Sequence, residues 1–411
     1  MVKVLYTTPI LRHPPTGGPQ LSVETCIKAL SRTSELHIIS RVPVNSIGGI
    51  EAQEFYEKHC VSFLYSPSAG RSPSSPPNKF LRKLHNFRRR QKDWVLNQDV
   101  DFILEYYKGN SIDVIWCDRT EFSFDLIRRI KRKRPDIKVV ADTCAVYSRF
   151  ILRELPYEES PARKREIYMA GTRKEEEEQI LVNLADVTTA VSEVDADYYR
   201  SLAKYPQQVY LFSNVIDIET YKQTPPPADN FKKPCIYLAG TFYAPQCPMV
   251  DATRWVVAEV LPLVRRQIPD IHFYVVGRGS EQNLSDIDDP GITITGELPS
   301  VLPYLCHADV ALVPLKWESG TRFKILEAGA CGIPVVSTTL GAEGIPVTHE
   351  KDILIADEPE KFADCIIRLI RNHDLALEMA ENLRTLVHEN YTISSLAEEG
   401  RRILEYLIPG R

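Results

Sequence analysis

Residues 320–336 read Gly-Thr-Arg-Phe-Lys-Ile-Leu-Glu-Ala-Gly-Ala-Cys-Gly-Ile-Pro-Val-Val, and the reading of this stretch decides the fold. Gly320 lets the backbone turn tightly into a helix expected to start near Thr321. The first amides of such a helix have no partners inside it and carry the positive end of its dipole. That end suits a phosphate group. Arg322 and Lys324 would add two positive charges in the same first turn. Glu327 lies about one and a half turns further on, where a carboxylate can accept hydrogen bonds from ribose hydroxyls. Cys331-Gly332-Ile333-Pro334 ends the helix, and Val335 and Val336 begin a strand. One short unit thus offers a place for a diphosphate and a ribose, and implies a nucleotide-activated substrate.

Outward from this unit, short apolar runs alternate with longer helical patterns. Strands are expected at 3–8, 35–40, 113–117, 138–142, 187–191 and 209–212. A second set is expected at 236–239, 271–276, 292–295, 310–313, 335–337 and 353–355. Runs this apolar imply strands covered on both faces, hence parallel sheets with crossover helices. Two consecutive series imply an α/β chain of two Rossmann-like, doubly wound domains. The expected division is 1–220 for the first domain, rejoined by a final helix within 394–411, and 230–393 for the second. A stiff linker at Thr224-Pro225-Pro226-Pro227 separates them.

With 411 residues, two domains are the default. Hydrophobic residues make up 44% and charged residues 26%, an ordinary globular balance. No apolar run approaches the length of a membrane span, and the start Met1-Val2-Lys3-Val4-Leu5 reads as a strand rather than a leader. The nine cysteines are scattered, without zinc spacing, and read as reduced thiols of a cytoplasmic protein. The net charge of −5 conceals an asymmetry: residues 1–210 carry 32 Lys and Arg against 27 Asp and Glu. Seven cations lie between Lys79 and Lys92, and six between Arg128 and Arg134.

The quoted stretch resembles the signature of family 4 glycosyltransferases (the glycosyl transferases group 1), retaining enzymes of the GT-B fold. That signature has a Glu, seven residues, a second Glu, then Ala-x-Ala-x-Gly-x-Pro-Val. Glu327 matches the second Glu, and Ala328, Ala330, Gly332, Pro334 and Val335 follow in register. The first Glu would fall at Ser319, with Glu318 one place early. The similarity is close over 230–360 and looser in the first domain. It implies two domains facing a central cleft. A sugar would pass from a nucleotide diphosphate donor, a UDP- or GDP-sugar, to a glycan or lipid-linked glycan, with retention of configuration.

The resemblance also assigns residues. Gly17 and Gly18, in the first βα turn, would border the donor phosphate. Asp142, at the end of the fourth expected strand, would contact a sugar; the His that often precedes it is Ala141 here. Helix capping is the plainer role for Asp142. Gly240 and Gly277 would bring backbone near the nucleotide, and the turn containing Leu298 would meet the base. Ser319, Gly320 and Thr321 complete the donor loop. The cations that usually follow the first strand of the second domain are missing, Arg254 being the first, so the diphosphate falls to Arg322 and Lys324. No cofactor and no metal are expected, because cationic side chains and helix amides can neutralise the leaving diphosphate. Alternatives are a nucleotide-sugar epimerase of the same fold and a degenerate binding scaffold; no motif supports nucleic acid.

The segment 79–94 combines the first basic cluster with Phe80, Leu84, Phe87 and Trp94 at helical spacing. It suits an anionic membrane surface, at the inner face of the plasma membrane, and equally a packed helix with a solvated basic face. If it docks on lipid, the chain will co-sediment with anionic vesicles at low salt. The triple substitution Arg88→Glu, Arg89→Glu, Arg90→Glu will then abolish sedimentation and leave nucleotide affinity unchanged. Wild-type protein that ignores such vesicles assigns the segment to the solvated alternative.

Overall fold

The computed structural model describes residues 1–69 and 82–410, those of 82–95 by backbone alone. The basic segment 79–94 therefore lies outside the described side chains. Thirteen described strands form two parallel sheets. The first comprises β1 (Lys3–Thr8), β2 (Glu35–Ser40), β3 (Ser62–Tyr65), β4 (Val114–Cys117), β5 (Lys138–Ala141), β6 (Val187–Ala190) and β7 (Val209–Leu211), in the order β3-β2-β1-β4-β5-β6-β7. The second comprises β8 (Cys235–Ala239), β9 (His272–Val276), β10 (Ile292–Ile294), β11 (Val310–Val313), β12 (Val335–Ser337) and β13 (Leu354–Ile355), in the order β10-β9-β8-β11-β12-β13. Each order reverses beside its first strand, which creates the switch point where open α/β sheets bind ligands. These are two Rossmann-like, doubly wound domains.

The apolar runs become strands because both faces are covered. In β1, β4 and β5 the side chains of Leu5, Ile115 and Val139 are fully buried. They pack with Leu126, Ile127 and Ile130 of the helix Thr120–Lys133, whose apolar residues recur every three or four positions. Each such burial contributes about 1.5–3 kcal/mol. Ser192 caps the helix Glu193–Leu202, its hydroxyl accepting from the Asp195 amide at 3.2 Å. The strand β3 is an addition to the expected set. Among the described strands it pairs with β2 alone, and all four of its residues, Ser62-Phe63-Leu64-Tyr65, are half-buried, as befits a sheet edge.

Contacts group Met1–Ser148, Met169–Ser213 and Leu396–Arg411 as one compact unit, and Arg149–Tyr168 with Asn214–Ser395 as the other. The final helix, Ile393–Leu407, packs in the first unit: Glu399 accepts from the Ser213 amide at 2.7 Å and from its hydroxyl at 2.9 Å. Residues 149–168 join the second unit through side chains far ahead in sequence. Phe150 rests on Trp317 with ring centroids 5.7 Å apart, and Arg153 pairs with Glu343 at 2.7 Å.

The second basic cluster is largely compensated locally. Arg128 pairs with Asp125, Lys131 with Asp186, Lys133 with Asp101 and Arg134 with Asp136. Its charge is a solvated helix end matched by acids rather than a bare patch. No helix among the described residues is long and apolar enough to cross a membrane.

Candidate functional site

In the second unit the site begins at the carboxyl end of β11. Gly320 has φ +80°, a left-handed conformation that L side chains rarely adopt. The helix it leads into is Phe323–Cys331, two residues later than expected, with Arg322 at the N-cap. Thr321 precedes the helix, and its hydroxyl accepts from Asn214 Nδ2 at 3.1 Å. Ile325, Leu326, Ala328, Gly329 and Ala330 are buried. A Cβ on Gly329 would lie 2.9 Å from Leu383 and Val387, so this glycine admits the helix His373–Asn390. Gly332 ends the helix at φ +69°, and the Ile333 amide reaches back to Ala328 O at 2.9 Å.

The two cations of this unit occupy different settings. Arg322 is buried, with 4% of its surface exposed. Its guanidinium donates to the Gly320 carbonyl through Nη1 and to the Leu340 carbonyl through Nη2, the latter at 3.3 Å. It fastens its own loop to the turn after β12. Lys324, the second helical residue, is half-buried, with Nζ 3.5 Å from Met249 Sδ. Burial lowers its pKa, while Glu318 and Glu327 oppose that shift. Glu327 accepts from the Tyr221 hydroxyl at 2.9 Å. Burial raises its pKa, and the bond from Tyr221 and the charge of Lys324 pull it back. Ser319 is buried, and its amide donates to Glu318 Oε1 at 3.2 Å.

The glycines of this unit hold three strand ends together. Gly277, at φ +133°, lies so close to Gly240 that a Cβ would stand 1.9 Å from the Gly240 carbonyl oxygen. The Gly240 amide donates to Val276 O and the Gly277 amide to Gly296 O, each at 3.0 Å. A Cβ on Gly240 would meet Met249 Cε at 2.7 Å. Met249 therefore touches both the Gly240 turn and Lys324. Leu298, half-buried, follows the left-handed Gly296. Arg254, the first cation after β8, is held by Asp286 at 2.7 and 2.8 Å.

In the first unit, Gly17 is extended and caps the helix Gly18–Thr33, its carbonyl accepting from the Gln20 and Leu21 amides at 3.1 Å each. Arg119 Nη2 donates to Pro19 O at 2.7 Å. Asp142 is buried, with 4% exposure. Its Oδ2 accepts from Trp116 Nε1 at 2.8 Å and its Oδ1 from the Thr189 hydroxyl at 2.6 Å. Burial, then the nearby Asp118 carboxylate, push its pKa up to about 7. In this setting Asp142 ties β4, β5 and β6 together, and both its carboxylate oxygens have partners.

Asn214, Tyr221, Met249, Arg153 and Glu343 were not read as site residues. Tyr221, Met249 and Arg153 come from distant parts of the chain, with no local pattern to announce them; Asn214 belongs to the turn 213–217, which reads as architectural, and Glu343 follows the short helix Thr339–Ala342.

Residues 233–372 match the family model described as Glycosyl transferases group 1. A Klebsiella pneumoniae protein described as an uncharacterized 44.6 kDa protein in the cps region is 22% identical over 405 residues, 95% of this chain and 97% of the relative. The D-inositol 3-phosphate glycosyltransferase of Corynebacterium jeikeium is 37% identical over 76 residues, 18% of each chain. Sucrose-phosphate synthase from Thermosynechococcus elongatus superposes with a TM-score of 0.69 at 17% identity, over 99% of each chain. HepE of Anabaena, in complex with UDP and glucose, superposes with a TM-score of 0.65 at 13% identity, over 98% of this chain and 100% of that one. The second unit thus carries a glycosyl transferases group 1 domain, and the chain as a whole has the GT-B fold of that group.

Proposed function

We propose that this protein is a retaining glycosyltransferase that moves a sugar from a UDP- or GDP-sugar to a glycan or lipid-linked glycan acceptor. The observation that carries the reading is the start of the helix Phe323–Cys331. Its first amides, Lys324 and Glu327 bring a positive end, an ammonium and a carboxylate onto one unit. The diphosphate would lie against the amides and Lys324. The ribose would meet Glu327, sharing that carboxylate with Tyr221. The Gly240 and Gly277 turns and Leu298 would line the nucleotide, and Gly17 and Gly18 would border the donor phosphate. HepE, of the same fold, holds UDP and UDP-glucose in its complexes, which supports a uridine donor.

The roles of Arg322 and Asp142 shift from those first expected. With its nitrogens on two carbonyls, Arg322 would act through the loop it fastens and through its positive field. Asp142 would position Trp116 and the ends of β5 and β6 rather than grip a sugar. Chemistry would proceed on one face of the sugar, with the departing phosphate oxygen taking the acceptor's proton. Lys324 and the helix amides would stabilise the charge that develops on the diphosphate, so no metal is required. The acceptor would bind the first unit, and the Lys79–Lys92 cations support a cytoplasmic reaction at an anionic lipid surface.

A thermal-shift panel of nucleoside diphosphates tests the reading: at least one of UDP and GDP will raise the melting temperature, with or without EDTA. Lys324→Ala will weaken that binding by about 1.5–3 kcal/mol, the worth of one charged hydrogen bond. Arg322→Ala will chiefly lower stability, by about 1–3 kcal/mol for each carbonyl left without a donor. Failure of every nucleotide to bind would contradict the proposal. A response seen only with added magnesium or manganese would contradict its metal-free mechanism.

A further inference from the structure

The stretch from Leu315 to Thr321 leads from β11 to the helix at Phe323, and side chains hold it at four points. The Thr338 hydroxyl donates to Leu315 O. Arg322 holds the Gly320 carbonyl, and Asn214 donates to the Thr321 hydroxyl. The fourth hold comes from residue 153, 165 positions away in sequence: Arg153 Nη1 donates to the Glu318 carbonyl at 2.7 Å. The same Nη1 reaches Glu343 Oε1 at 2.7 Å, and Nη2 reaches Glu343 Oε2 at 2.8 Å. Glu343 directly follows the short helix Thr339–Ala342 after β12. One guanidinium therefore joins the two loops that follow β11 and β12.

The bond to Glu318 acts on a particular peptide. The Glu318 carbonyl and the Ser319 amide belong to one peptide unit. Its oxygen is held by Arg153, and its N–H is held by the Glu318 carboxylate at 3.2 Å. With both ends held, this peptide cannot rotate without breaking a charge-assisted bond. The setting strengthens the clamp, since the side chains of Arg153 and Glu343 are only 24% and 25% exposed. Phe150, three residues earlier, lies against Trp317, whose Nε1 donates to Asp251 at 2.9 Å. The segment 149–168 thus meets the loop with an aromatic ring and a cation together. Lysine could supply the charge but not the planar fork that satisfies three acceptors at once.

We propose that Arg153 is a positioning residue for the transferred sugar: it fixes the Glu318–Ser319 peptide so that the loop presents a rigid backbone to that sugar. The inference rests on the donor reading above. If the diphosphate sits at the start of the helix Phe323–Cys331, the sugar bonded to it falls beside the residues that immediately precede that helix. Fixing that peptide sets the course of the backbone that follows it at Gly320 and Thr321, which a loose loop would have to order on binding.

The test compares wild type with Arg153→Lys, and with Glu343→Gln as a milder variant should Arg153→Lys fold poorly. Two quantities are read: amide hydrogen exchange across residues 315–322, and affinity for UDP and GDP against UDP-glucose, UDP-galactose, UDP-N-acetylglucosamine and GDP-mannose. Arg153→Lys is expected to speed exchange at Ser319–Thr321 about tenfold, with the rest of the second unit unchanged. It should also weaken the best-bound sugar nucleotide about tenfold while leaving the parent diphosphate unaffected. Unchanged exchange, or equal losses for the diphosphate and its sugar conjugate, would overturn the clamp and leave the glycosyltransferase reading standing. A wild-type chain that binds none of these nucleotides would overturn that reading, and this inference with it.

Discussion

The first amides of a helix have no preceding turn to meet them, and the second unit is arranged around one such beginning, where the Arg322 carbonyl takes the Ile325 amide at 3.0 Å and the amides of Phe323 and Lys324 stand ahead of it. The strand β11 ends, the chain turns through the left-handed Gly320, and the helix Phe323–Cys331 starts with Arg322 as its cap. The cap side chain is turned to carbonyls rather than to the helix amides. Those amides remain a local concentration of positive potential at the carboxyl end of a parallel sheet. The surrounding features serve that beginning. Gly329 lets a second helix pack closely behind it, Gly332 ends it cleanly, and Met249 links Lys324 to the Gly240 turn.

Two cations two positions apart in sequence illustrate how burial divides work between like charges. Arg322 can satisfy several acceptors with one planar group, and it is the one turned onto backbone oxygens. Lys324 keeps a compact ammonium next to a sulfur, a weak partner that an anion can replace. Its pKa is lowered by burial, and an arriving diphosphate would favour the charged form that burial disfavours. The carboxylates Glu318 and Glu327 stand near enough to temper that cost.

Most of the fold was legible in the sequence because burial on both faces writes itself as apolar runs. The strands β1, β2, β11 and β12 fall at the expected residues, and the other expected strands begin and end within one residue of them. The edge strand β3 escaped notice because its short apolar run, Phe63-Leu64-Tyr65, passes directly into the Ser- and Pro-rich sequence that begins at Ser66 and reads as loop. The helix with Gly320, Lys324 and Glu327 was legible because its parts are local. The jobs of its neighbours were not. Gly277 announces a special backbone, but only the structure reveals that the Gly240 carbonyl imposes it. Asp142 sits at a strand end as a ligand group might, yet its oxygens are taken by Trp116 and Thr189 from adjacent strands. Arg153, Asn214 and Tyr221 reach the site across gaps of more than one hundred residues, which no periodicity encodes.

The central claim is that the start of the helix Phe323–Cys331 is a diphosphate site, and a crystal structure with a bound nucleoside diphosphate tests it most directly. The account predicts phosphate oxygens within hydrogen-bond distance of the helix's first amides and of Lys324 Nζ, with a ribose hydroxyl on Glu327. A nucleotide bound elsewhere, with Lys324 still against Met249 and Glu327 bonded only to Tyr221, would contradict it.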